Sequence, residues 1–162
     1  MPISAAGSKR TPALPHGFTL LELLVVVALI AVATAGVSLS LRDSAHSALQ
    51  RDAERLAVLL ETGRAQARAN GLPVVWRTQD NAPQQTQRFV FEGLPPPGLP
   101  QNWLANSTRG APGSAITLGP EPLIEPQAVS LSSASAPGQR LWVVTDGLRP
   151  FKVQNTGEWV RP

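Results

Sequence analysis

The residues whose chemistry stands out are Gly17, Phe18 and Glu22, at the start of a long apolar run. Residues 1–17 carry two basic side chains and no acid, which is typical of a leader held on the cytoplasmic side of a membrane. Hydrolysis of the peptide bond between Gly17 and Phe18 would remove this leader and leave a free amine on Phe18. That amine and the Glu22 carboxylate would lie one helical turn apart, where opposite charges can interact.

Glu22 is the single charged residue in the apolar run from Phe18 to Leu41. These 24 residues would form a helix of roughly 36 Å, enough to cross a hydrocarbon core of about 30 Å. A carboxylate costs on the order of 2.5–3.5 kcal/mol at the centre of such a span, so Glu22 needs a reason to be there. One reason is a capping box with Thr19 at the helix start, where the helix dipole also favours an acid. A functional role for the carboxylate is compatible with capping.

The composition limits the classes of function. The 162 residues leave room for one small domain beyond the membrane helix. Lys9 and Arg10 lie in the leader, so the processed chain has 12 basic and 11 acidic side chains and a net charge of +1. This near-neutral balance argues against a nucleic-acid partner. With no Cys and only two His, neither a disulfide nor a soft-metal site is expected.

The chain after the apolar run first predicts more helix. Apolar and small residues recur three or four positions apart, which predicts an amphipathic helix over 42–70. Asn70-Gly71 followed by Pro73 predicts its end. The stripe expected to face a core comprises Ala45, Leu49, Ala53, Leu56, Leu59, Leu60, Gly63 and Ala67. The charged residues expected in water are Arg42, Asp43, Arg51, Asp52, Glu54, Arg55, Glu61, Arg64 and Arg68.

Residues 71–162 hold 13 of the 16 prolines and predict strands and turns. Candidate strands lie at 73–77, 87–92, 115–118, 128–132, 140–145, 150–154 and 158–161. Asp146-Gly147 and Thr156-Gly157 predict turns that join the last three strands into a meander. Elsewhere, the Pro/Gly-rich segments 94–100 and 110–126 mostly predict loops. The expected aromatic core is Trp76, Phe89, Phe91, Trp142, Phe151 and Trp159.

These patterns together predict an α+β fold. One long helix over about 18–70 would pack, through its apolar side, on a small β-rich head with two sheets. The predicted parts are a leader (1–17), a membrane half of the helix (18–41), an amphipathic half (42–70) and the head (71–162).

The start of the chain resembles type IV pilins and type II secretion pseudopilins. Their pattern is G-F-T-L-x-E before a long apolar run, and residues 17–22 match it in order. The resemblance implies that a prepilin peptidase in the inner membrane cuts after Gly17 and methylates the new amine of Phe18. It also implies that Glu22 and Phe18 act in subunit assembly, the amine of one subunit meeting the glutamate of another. The implied partners here are the peptidase and the inner-membrane lipid.

Two further segments resemble the GspH/FimT group of minor subunits. They are Arg55-Leu56-x-x-Leu59-Leu60-x-x-Gly63-Arg64-x-x-Ala67 with Asn70-Gly71-x-Pro73-Val74, and Trp142-Val143-Val144-x-Asp146-Gly147-x-x-Pro150-Phe151. This resemblance implies an H-type minor pseudopilin, a structural subunit near the tip of a short fibre that helps to export folded proteins across the outer membrane. Its partners would be other minor pseudopilins and the major pseudopilin. Its N-terminus would be cytoplasmic and its head periplasmic. The acidic calcium loop of the major pseudopilin has no counterpart near this C-terminus, so we assign no metal site.

A minor pilin of a type IV pilus, acting in pilus assembly or DNA uptake, is the nearest alternative. The helical pairs Arg51/Arg55 and Arg64/Arg68 would be its DNA contacts. The same pairs are also explained by a solvated helix face, because cations are favourable near a helix C-terminus. We expect this solvated face rather than DNA contacts.

A membrane-anchored enzyme is the second alternative. The chain has no phosphate loop, dinucleotide glycine pattern, H-E-x-x-H or nucleophile elbow. Asp43, Ser44 and His46 lie too close along one helix to form a triad by themselves. Asp52 and Glu54 would point to different helix faces. We therefore expect a protein that is not an enzyme, with no catalytic residues and no cofactor.

Overall fold

The structure is a computed structural model that describes residues 18–79 and 87–157, without the side chains of 38–42. The leader with Gly17, the expected strand at 158–161 and Trp159 lie outside the described residues. The chain divides into two compact units, Met1–Ser38 and Leu39–Pro162. A single helix, α1, spans Leu20–Asn70.

In the first unit, α1 is apolar and exposed. Residues 18–37 are all solvent-accessible, and Leu20–Val37 has a mean hydropathy of 2.6. By length and composition this segment can cross a membrane. Since apolar side chains on all sides of a helix are stable only in an apolar surrounding, the exposure fits a helix made for lipid or for other helices.

In the second unit, α1 buries the stripe that its sequence period predicts. Each residue of the predicted stripe, from Ala45 to Ala67, is buried. The helix ends where expected: Gly71 has a φ of 64°, and the Leu72 amide donates to the Ala67 carbonyl at 3.2 Å. This is the hydrogen bond of a Schellman motif, in which glycine takes the left-handed position.

The head contains two antiparallel sheets beside this stripe, as the α+β prediction requires. Its strands are β1 (Val75–Gln79), β2 (Arg88–Glu92), β3 (Thr108–Gly110), β4 (Ala115–Thr117), β5 (Gln127–Ser133), β6 (Ala136–Thr145) and β7 (Lys152–Gln154). The orders are β2-β1-β4 and β3-β5-β6-β7. Six strands overlap the predicted positions. The exception is β3, which has three residues and no large apolar side chain that could indicate a strand.

The core joins both sheets to the helix. Trp76, Phe89, Phe91 and Phe151 are buried in it, as predicted. Trp103 is a core residue that the sequence analysis missed, because it lies in a loop without periodicity; its ring centroid is 4.6 Å from that of Phe89.

The prediction that Trp142 belongs to this core was wrong. Its neighbours Leu141 and Val143 point inward and are buried, so strand alternation turns Trp142 to the opposite face of the sheet. There the ring is half-buried and lies against Gly157, where a Cβ would come within 2.8 Å of it.

Candidate functional site

The first candidate site is the start of α1, where the structure places Phe18, Thr19 and Glu22. The Glu22 amide donates to Thr19 Oγ1 at 3.2 Å, so Thr19 caps the helix as the Thr19-x-x-Glu22 spacing predicted. Phe18 is 76% exposed. The Glu22 side chain is also exposed and forms no ion pair within residues 18–79 and 87–157. The cap thus uses the backbone of Glu22 and leaves its carboxylate open to a partner.

A second feature is Asp52, which we expected in water but which is 1% exposed. Its carboxylate accepts hydrogen bonds from the amides of Leu104 and Ala105, at 2.7 and 3.0 Å, and from Thr108 Oγ1 at 2.7 Å. The expectation was wrong because the loop that follows Trp103 supplies donors to this charge. Three donors satisfy a buried carboxylate and fix the loop to the helix.

Arg64 is the second charge that we wrongly expected in water, since it is 3% exposed. Its Nη2 donates to the carbonyl of Gly147 and to that of Pro122 at 3.4 Å, and its Nη1 lies 3.7 Å from Glu61 Oε1. Glu61 Oε1 in turn accepts from the Phe151 amide at 2.9 Å. Arg64 is therefore not available for DNA, and it is not part of a solvated face.

The two segments in which the sequence resembles the GspH/FimT group meet at this contact. Arg64 and Glu61 belong to the helix, whereas Gly147 and Phe151 belong to the 142–151 segment. Gly63, one position before Arg64, packs so closely that a Cβ there would lie 2.9 Å from Leu118 Cδ1. Hydrogen bonds thus join the two segments, and close packing against Leu118 accounts for a glycine at position 63.

The turn after β6 holds a charged residue, Asp146. Hydrogen bonds from the backbone N–H groups of Arg149 and Leu148, at 2.5 and 3.0 Å, reach Asp146 Oδ1. The Arg149 N–H is the largest cause that lowers the pKa of Asp146; burial opposes it, and the Leu148 N–H and the charges of Arg149 and Lys152 lower the pKa further. The Asp146 side chain thus closes the turn by accepting hydrogen bonds from the backbone that follows it.

Residues 15–38 match the family model of the prokaryotic N-terminal methylation motif. The match covers Gly17, Phe18 and Glu22 together with most of the apolar run. The motif supports a type IV pilin-like protein. No curated protein and no solved structure matches the chain.

The methylation motif has two direct consequences for this pilin-like chain. It implies processing by a prepilin peptidase, the enzyme predicted from the Gly17-Phe18 pair. Together with the exposed helix Leu20–Val37, it indicates a single-pass membrane anchor. The roles of Gly17, Phe18 and Glu22 in cleavage, methylation and assembly stay predictions.

Sequence reasoning missed the buried charges of helix α1. Asp52 and Arg64 each lie within four positions of a charged residue on either side, Arg51 and Glu54 for Asp52, and Glu61 and Arg68 for Arg64, so their surroundings in sequence resemble a solvated face. The one available signal was position: both lie one residue from members of the apolar stripe, Ala53 and Gly63. Their backbone partners, 52 and 83 positions further along the chain, could not be identified from sequence period.

Proposed function

We propose that this chain is a minor pseudopilin of the H type, a structural subunit near the tip of the type II secretion pseudopilus. In this role it helps to export folded proteins across the outer membrane and catalyses no reaction itself. The observation that carries the proposal beyond a pilin-like protein is the contact of Arg64 with Gly147, since it joins the two segments in which the chain resembles that group.

The assembly chemistry would reside at Phe18 and Glu22. Cleavage after Gly17 creates an amine on Phe18, and methylation keeps that amine basic. Glu22 has an exposed side chain one turn further along, so its carboxylate can form an ion pair with the Phe18 amine of a neighbouring subunit. In an apolar surrounding such a pair fixes the register between helices, because leaving one charge unpaired is costly.

The rest of the chain would anchor and orient the N-terminus of the mature subunit. The apolar helix anchors the subunit in the inner membrane, with the leader on the cytoplasmic side and the head in the periplasm. During assembly the same helix would exchange lipid for the helices of other minor pseudopilins and of the major pseudopilin. Its apolar surface, exposed over residues 18–37, supports both states.

Deletion of the gene in its native host, followed by complementation with the full chain, tests the proposal. We expect deletion to reduce the amount of folded proteins released through the outer membrane, and the full chain to restore it. Surface pili and DNA uptake are measured in the same strains. Loss of pili or of DNA uptake with normal secretion would contradict the proposal and assign the chain to a type IV pilus.

A further inference from the structure

Two loops of the head meet beneath a pair of exposed leucines. Gly147 has a φ of 82°, and a Cβ at this position would overlap the carbonyl oxygen of Ile124. Only glycine allows the two backbones to approach this closely. The segment 121–125 and the turn 146–149 therefore form one continuous surface.

Two arginines of α1, the buried Arg64 and Arg68 one turn further along, hold both loops by hydrogen bonds. Arg64 Nη2 donates to the carbonyls of Gly147 and Pro122, and Arg68 Nη2 donates to the Pro122 carbonyl at 2.8 Å. Leu123 and Leu148 are the next residues after these two carbonyls. Their backbone positions are thus fixed from the interior before any partner arrives, which lowers the entropy cost of binding.

Both leucine side chains nevertheless point into solvent. Leu123 is 63% exposed and Leu148 is 72% exposed. Beside Leu123 lies a pocket of about 330 Å³, whose lining is Thr117, Glu121, Leu123, Ile124, Glu125 and Gln127. An exposed leucine beside a pocket, with a second exposed leucine on the adjoining turn and both on backbones held by hydrogen bonds, fits a docking surface better than a solvated loop.

The charges around this surface define the partner. Glu121 and Glu125 line the pocket, and neither forms an ion pair within the part of the chain that the structure describes. Two nearby arginines direct their N–H groups to other acceptors: Arg149 Nε lies 3.6 Å from Asp146 Oδ2, and Arg68 donates to the Pro122 carbonyl. The surface thus presents leucines together with two carboxylates that form no ion pair among the described residues, so a surface that brings Lys or Arg would be complementary.

We propose that the surface formed by Glu121, Leu123, Glu125 and Leu148 docks the head of a neighbouring fibre subunit. The occupant is a protein surface with an apolar depression bordered by Lys or Arg. This inference rests on the proposed function, because it places the chain in a fibre. It adds a contact between heads to the contacts between helices.

Site-specific photo-crosslinking in the native host tests the inference with the full-length chain. A photoreactive residue replaces Leu123 in one strain and Leu104 in another; Leu104 is a matched control because it is 61% exposed on a loop fixed by Asp52. We expect position 123 to crosslink to another chain that carries an N-terminal methylation motif, with about tenfold higher yield than position 104. Equal yields, or a crosslinked partner without such a motif, would overturn the inference.

Charge reversal tests the recognition chemistry separately. With Glu121→Lys and Glu125→Lys together, the crosslink at position 123 should fall by about tenfold, while leader cleavage and protease resistance of the head stay normal. If this variant loses protease resistance, Glu121→Gln with Glu125→Gln takes its place and should still lower the yield. An unchanged yield in a folded variant would overturn the inference. Because secretion and pili are scored in strains with the unaltered chain, failure of the proposed function is seen independently.

Discussion

Glu22 and Asp52 are both acids on helix α1, but their surroundings give them different tasks. Asp52 is buried and accepts three hydrogen bonds from one loop, so its charge is used inside the molecule. Glu22 is exposed in an apolar segment, and its cap to Thr19 uses only the backbone. A carboxylate that the fold does not use, at a place where charge is costly, is available to another subunit.

Replacement of Glu22 by Leu should separate insertion from assembly. The Glu22→Leu chain should still insert into the membrane and lose its leader, because the span only becomes more apolar. It should no longer crosslink to other fibre subunits, since the amine of Phe18 loses its counterion, and secretion should drop. Immunoblots of membrane fractions and crosslinked species measure these effects. Normal assembly of Glu22→Leu would show that the Glu22 carboxylate has no role in assembly.

Replacement of Asp52 by Asn should destabilise the head by about 2–4 kcal/mol, because the amide cannot accept all three buried hydrogen bonds and its own N–H groups lack acceptors. Glu54→Gln makes the same change of charge at an exposed position of the same helix and should alter the free energy of unfolding by less than about 0.5 kcal/mol. Urea unfolding of residues 42–162 measures both. Equal effects of the two substitutions would contradict the role given to Asp52.

At the scale of elements, helix α1 shows which parts of the fold follow from the sequence. Its buried stripe and its end at Asn70 were predicted, because both depend on neighbouring residues: an apolar period and the Asn70-Gly71-x-Pro73 stop. The burial of Asp52 and Arg64 was not, since it depends on carbonyl and amide groups from distant loops. Strand β3 was missed for the same reason. The position of Thr108 depends on a hydrogen bond to the distant Asp52, and the segment itself has no sequence pattern that predicts a strand.

The close contact of α1 with the sheets at Gly63 gives a test at this scale. Gly63→Val should destabilise the head by about 1–3 kcal/mol, because its side chain would overlap Leu118 and Phe91. Ala65→Val introduces the same side chain at an exposed position two residues further on and should be nearly neutral. Thermal unfolding of the two variants compares them. A Gly63→Val head as stable as the Ala65→Val head would mean that the helix does not approach the sheets this closely.

For the whole molecule, the division into two compact units predicts that the head can exist alone. Removal of residues 1–41 should leave a soluble, monomeric fragment that needs neither metal nor reductant, because Leu20–Val37 is the candidate span among the described residues and the chain has no Cys. Sedimentation of the fragment without detergent measures this. A fragment that is recovered only in detergent would indicate a second membrane contact in residues 42–162.

The central claim, that this chain is a processed pilin-like subunit, is tested most directly by the N-terminus of the membrane-bound protein. Intact mass and N-terminal sequencing should show a chain that begins at Phe18 with a methylated amine. Gly17→Val should retain the leader, because a branched side chain crowds the bond to be cut. A mature protein that keeps residues 1–17, or that is cut after Leu41, would contradict the account.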